Sequence, residues 1–198
     1  GKLIEDKIKL ADGVLTIGNQ EFNLSSYQNI YVIGFGKASA YMASALEKKL
    51  PGCIKEGAVI VKYGHSSDCQ NVSIYEAGHP VPDKNGLDHS RKIIELAQKA
   101  TADDLVICLI SGGGSVLFES LPKKIMPEDL IRLNELLLES GANINEINTV
   151  RRHVSKVKGG QLLRHIYPAN YVSLIISDVL GDEPESIASG PTAADDTT

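Results

Sequence analysis

Five short runs of the chain are apolar and rich in β-branched residues, and polar stretches with helical spacing separate most of them. The runs lie near 30–34, 57–62, 72–76, 104–110 and 171–176, and each reads as a buried strand. Helical periodicity falls near 38–49, 84–100, 127–139 and 147–165. Pro127 at a first helical position, followed by Glu128 and Asp129, marks where the third helix starts, and Asp83 is placed to cap the second. The first residues follow another rule. Lys7-Ile8-Lys9-Leu10 and Val14-Leu15-Thr16-Ile17 alternate about Asp12-Gly13, and Gly18-Asn19 supplies a second turn, so residues 7–24 read as a small β-hairpin region. The later strand–helix alternation predicts an α/β fold with a mainly parallel sheet and helices on both faces.

Composition narrows the class. The 198 residues suit a single α/β domain, and 42% of them are hydrophobic, enough for a sizeable core. A net charge of −5, without a basic stripe or an aromatic platform, argues against nucleic acid as a partner. No apolar segment is long enough for a membrane span, and the start is not signal-like. Cys53, Cys69 and Cys108 are few and odd in number, which fits reduced thiols and a cytoplasmic setting. A start at Gly1 and a polar close at Asp195-Asp196-Thr197-Thr198 lead us to expect a fragment of a longer protein.

The candidate chemistry sits where apolar runs end. Leu105–Ile110 passes directly into Ser111-Gly112-Gly113-Gly114-Ser115, where three glycines let backbone amides converge on an oxyanion and two hydroxyls add donors. Ile30–Ile33 passes into Gly34-Phe35-Gly36-Lys37-Ala38-Ser39, which places Lys37 at or near a helix amino end, an unfavourable position unless an anion is shared. Two such loops favour a phosphate site over plain tight turns. It is neither of two well-known kinds. A P-loop needs glycine five positions before Gly36 and Ser or Thr after the lysine, where this chain has Tyr31 and Ala38. A dinucleotide fingerprint needs a third glycine and an acidic residue ending the next strand, where this chain has Ser39 and Lys62.

Three further stretches carry polar groups. His79 lies in Gly78-His79-Pro80-Val81-Pro82-Asp83, either as a site residue or as a backbone-bonded loop histidine. Asn148–Gly160 holds a cationic cluster, and helical spacing would put Arg152, Lys156 and Gly159 on one face and Val150, Val154 and Val157 on another. Such a face is either merely solvated or draws a polyphosphate or a carboxylate. Asp178 and Asp182, just past the last apolar run, suit Mg2+ beside phosphate or, alternatively, simple turn capping. Ser189-Gly190-Pro191-Thr192 forms one more hydroxyl-and-glycine loop.

In this order, Gly34–Ala38, Gly78–Asp83, Ser111–Ser115, Val150–Gly160, Ser177–Asp182 and Ser189–Thr192 resemble the class II glycerate kinase family, over nearly the whole chain from about residue 25. The resemblance implies a Rossmann-like domain that transfers the γ-phosphoryl group of ATP to D-glycerate, giving 2-phosphoglycerate. It implies an essential lysine matched by Lys37, and a second domain, supplying an active-site arginine, that this chain does not contain; residues 1–198 are then most of the first domain and inactive alone. The candidate site comprises Lys37 and Asp178 as catalytic groups, with Asp178 also serving, together with Asp182, as a Mg2+ ligand. Gly34, Gly36, His79, Ser111, Gly112, Gly113, Gly114, Ser115, Arg151 and Lys158 are its substrate- and nucleotide-binding residues. Homodimerisation stays open. Two other classes compete: a sugar-isomerase-type phosphosugar-binding domain, disfavoured by Ala38 and the triple glycine, and an NAD(P)-dependent hydroxypyruvate reductase, disfavoured by Lys62.

Overall fold

A computed structural model describes residues 7–177 and 184–195. Strands β1 (Ile8–Ala11), β2 (Val14–Ile17) and β3 (Gln20–Asn23) form an antiparallel sheet joined by the two turns the sequence marks. Strands β4 (Ile30–Phe35), β5 (Ile54–Lys62), β6 (Val72–Ala77), β7 (Leu105–Ser111) and β8 (Asn170–Ile176) form a second sheet, parallel throughout, in the order β6-β5-β4-β7-β8. All five expected strands are present within a few residues of the predicted limits.

The two central strands are buried along their whole length, as a parallel sheet covered on both faces requires. On one face Ile30, Val32, Val59, Ile107 and Leu109 pack against helix α1 (Ser39–Lys49) through Met42, Ala43 and Leu46, and the small sheet adds Ile8, Leu15 and Ile17. On the other, Ile33, Phe35, Ile60, Cys108 and Ile110 pack against helix α2 (Lys84–Lys99) through Ile93, Leu96 and Ala97. The alternation of side chains along each strand assigns these residues to their faces. Cys108 lies fully inside, where burial pushes its thiol up to about 12, and all three cysteines are free. Among the described residues no helix is long and apolar enough to cross a membrane.

Helix starts follow the predicted chemistry. Asp83 Oδ1 accepts from Gly86 N–H at 2.9 Å, capping α2. A single turn, α3 (Gly114–Leu117), follows the glycine run, and α4 (Pro127–Glu139) begins with its proline at the first position. The expected long helix at 147–165 is instead two, α5 (Ile144–His153) and α6 (Leu163–Ile166), with an irregular loop between them. The first of the two ends at His153, and Gly159 and Gly160 beyond it adopt φ of +56° and +75°, outside helical values, so Arg152, Lys156 and Gly159 do not share a helical face.

The strand order matters for function. From β4 the chain runs through α1 to β5 on one side; after β6 it returns through α2 to β7 on the other. The loops leaving β4 and β7 therefore diverge at a topological switch point, the place where open α/β sheets bind ligands.

Candidate active site

Phe35 pairs with Ile110, so Gly36 and Ser111 emerge side by side at the carboxyl edge of the sheet. Gly36 has φ +124°, and a Cβ there would overlap the carbonyl and hydroxyl oxygens of Ser111, so only glycine fits. Hydrogen bonds then stitch the loops together: Lys37 N–H donates to Gly112 O at 3.0 Å and Ala38 N–H to Ser111 Oγ at 3.0 Å. Ser39 Oγ donates to Leu109 O at 3.1 Å. Ser111, almost fully buried, is thus a strut between loops, its hydroxyl bonded to protein partners. Gly34 lies inside β4, where a Cβ would come within 2.7 Å of Leu109 O, so close strand packing requires glycine there.

The third loop arrives from β6. A Cβ added to Gly113 would lie 2.9 Å from His79 Nε2 and 3.0 Å from Lys37 Cε. Gly113, with φ +84°, is therefore a backbone floor on which the lysine and histidine side chains converge. Lys37 is half-buried, and the ion pairs among the described residues do not include it. Burial, then the charges of Lys37 and Lys62, hold the His79 imidazole below its ordinary pKa, so at neutral pH the ring is uncharged beside an ammonium group. His65, which sequence reasoning missed, places Nδ1 3.2 Å from Lys37 O and holds the turn from outside.

A cavity of about 260 Å3 opens next to this floor, lined by Pro80, Ser115, Glu119, Asn134, Arg151 and Lys158 among others. Lys158 is buried and ion-paired with Glu119, which also accepts from Ser155 Oγ. Burial holds the Lys158 ammonium below its ordinary pKa, and Glu119 opposes that shift. Lys158 therefore reaches the cavity with its charge already balanced. Arg151 is only partly buried, and its Nε donates to Asn134 Oδ1 at 2.7 Å. Ser115 Oγ lies 2.9 Å from Ser189 Oγ. Ala188 and Ser189 hold φ of +52° and +62°, strained values packed against α3.

The structure thus brings Lys37, Gly36, His79 and Gly112–Ser115 into one locus, and places Arg151 and Lys158 in the adjoining cavity. Asp178 and Asp182 lie outside the described residues. Among those described, no group of three or more His, Cys, Asp or Glu side chains is arranged to hold a metal ion. Glu119 and Asn134 escaped the sequence reading. An acid directly after the apolar pair Leu117-Phe118 was the only signal for Glu119, and Asn134 carries none.

A parallel sheet of order 3-2-1-4-5, with glycine-containing loops leaving it at the switch point, is an α/β architecture of the kind that places ligands at that point. The family described as "Domain of unknown function (DUF4147)" matches residues 1–198, and the chain belongs to that family. The glycerate 2-kinase of Pyrococcus horikoshii is 43% identical over 197 residues, covering 100% of this chain and 44% of that protein. A putative hydroxypyruvate reductase of Agrobacterium vitis is 50% identical over 167 residues, covering 84% and 38%. The crystal structure of glycerate kinase from Thermotoga maritima superposes with a TM-score of 0.81 at 45% identity, covering 84% of this chain and 41% of that one. The chain spans about two fifths of the length of these relatives.

Proposed function

We propose that the complete gene product is an ATP-dependent glycerate 2-kinase that converts D-glycerate to 2-phosphoglycerate, and that this chain supplies its Rossmann-like nucleotide-binding part. The observation that carries this reading is the meeting of Lys37, His79 and the Gly113 backbone at the switch point of the sheet. Phosphoryl transfer asks mainly for positioning and for charge neutralisation, and that locus offers both. A glycine floor admits phosphate oxygens close to backbone. The Lys37 ammonium, unpaired by protein acids among the described residues, takes up negative charge on the transferring group. Neutral His79 adds a donor or acceptor without repelling that cation further. Mg2+, when bound, would neutralise phosphate charge, and Asp178 and Asp182 are the carboxylates proposed to hold it.

The names of relatives support a kinase acting on glycerate. A reductase using a nicotinamide cofactor is the weaker reading, because β5 ends in Lys62 where a ribose-binding carboxylate belongs. The test is an assay of the complete gene product with Mg-ATP and D-glycerate, the product's phosphate position read by NMR. Formation of ADP and 2-phosphoglycerate is expected. Phosphate on the 3-hydroxyl, or NADH-dependent reduction of hydroxypyruvate without ADP formation, would overturn the proposal.

A further inference from the structure

The cavity beside the glycine floor has a feature that phosphate binding does not use. The Arg151 guanidinium lines it, yet no carboxylate lies within ion-pair distance of that group among the described residues; its protein hydrogen bond there is the one from Nε to Asn134 Oδ1. Asn134 in turn donates to Leu130 O at 2.9 Å, which fixes the orientation of its own acceptor and so of the guanidinium plane. Burial lowers the Arg151 pKa, and the more distant charge of Glu119 opposes that shift. An oriented, partly buried guanidinium whose terminal nitrogens have no protein hydrogen bond among the described residues is a ready fork for a planar anion.

Charge and size identify the anion. Glu119 balances Lys158, so the floor of the cavity keeps a single net positive charge. Glu135 also reaches the cavity, but it is tied to Arg132 at 3.1 Å on the helix surface. One net charge suits a monocarboxylate and not a triphosphate. The volume of about 260 Å3 lies below the roughly 300–1,000 Å3 of sites for drug-sized ligands, so a molecule of a few carbons fits and a nucleotide does not. Val116, Leu130 and Leu138 wall the other side with apolar surface. Pro80 and Ser115 also line it, the first next in sequence to His79 and the second two residues from Gly113, so a bound short hydroxy acid would present its hydroxyl toward Lys37.

We infer that Arg151 anchors the carboxylate of the phosphoryl acceptor in this cavity, and so sets a preference for short hydroxy acids over neutral polyols. This rests on the kinase reading above. The test is calorimetric binding of D-glycerate and of its neutral counterpart D-glyceramide to the complete gene product, with a non-hydrolysable ATP analogue titrated separately. Arg151→Gln is expected to weaken D-glycerate binding by about tenfold to a hundredfold. D-Glyceramide and nucleotide binding stay unchanged, and Arg151→Lys restores only part of the loss because a point charge cannot form the fork. Unchanged D-glycerate affinity in Arg151→Gln, or an equal loss for D-glyceramide, overturns the inference. Should Arg151→Gln fail to fold, Ile131→Trp adds bulk at another residue that lines the cavity; D-glycerate binding undiminished in that variant overturns the inference equally. Failure of the kinase reading has a separate signature: wild-type protein that binds D-glycerate but forms no ADP from it.

Discussion

Gly36→Ala probes the contact between the two central loops with few other consequences. The substitution forces a residue with a Cβ into φ +124° and drives that atom into the Ser111 backbone and hydroxyl. The conformation alone costs about 1–3 kcal/mol. Relief of the overlap requires the loops to part, which breaks the Lys37–Gly112 and Ala38–Ser111 hydrogen bonds, both 3.0 Å. Each is worth about 1 kcal/mol, for a total near 4 kcal/mol. In a protein of this size that lowers the melting temperature by roughly 8–16 °C. Gly52→Ala is the control: its φ is also positive, +71°, but nothing lies within 4 Å of the added atom. It bears the conformational cost alone, about 1–2 kcal/mol or roughly 2–8 °C. Thermal unfolding followed by circular dichroism distinguishes them. Equal melting temperatures for the two variants would refute the reasoning, since loop contact would then contribute nothing.

Lys37→Met in the complete gene product is expected to lower turnover by about a hundredfold or more while leaving the melting temperature unchanged, a split that kinetics and calorimetry check together. Glu119→Gln leaves the buried Lys158 charge without its counterion and is expected to destabilise by about 3–5 kcal/mol, whereas the Glu119→Leu, Lys158→Met pair loses less; urea denaturation of both decides it. The folded-state pKa of His79 lies below its ordinary value near 6.5, so the unfolded chain takes up the proton first as pH falls. Stability contributed by the neutral ring is therefore complete above about pH 6.5 and declines as pH drops through the folded pKa. Lys37→Met removes one cause of the depression, and the ring resonances of His79 should then titrate at higher pH; an unchanged titration would separate the two side chains.

Much of this architecture is readable from local chemistry. Helix α4 begins where Pro127, Glu128 and Asp129 indicate, and α2 where Asp83 indicates, because caps and first-turn charges act over three or four residues. The loops after β4 and β7 were legible for the same reason. The reading of 147–165 as one helix failed because Val150, Val154 and Val157 mimic a helical stripe, while the chain leaves the helix after His153 and Gly159 and Gly160 adopt positive φ. The packing that requires glycine at Gly34 comes from Leu109 on the neighbouring strand, 75 positions away. The burial of Lys158 depends on Glu119, 39 positions before it, and the setting of Arg151 on Asn134, 17 before it. Spacing along the chain carries no trace of such pairs.

The claim that the loops leaving β4 and β7 form a single phosphate-gripping site is open to direct mapping by amide NMR of the labelled protein titrated with Mg-ATP. The backbone signals of Gly36, Lys37 and Gly112–Ser115 should shift together, along one saturation curve, with the His79 ring following. Shifts confined to one of the loops, or centred on the antiparallel sheet β1–β3, would contradict it.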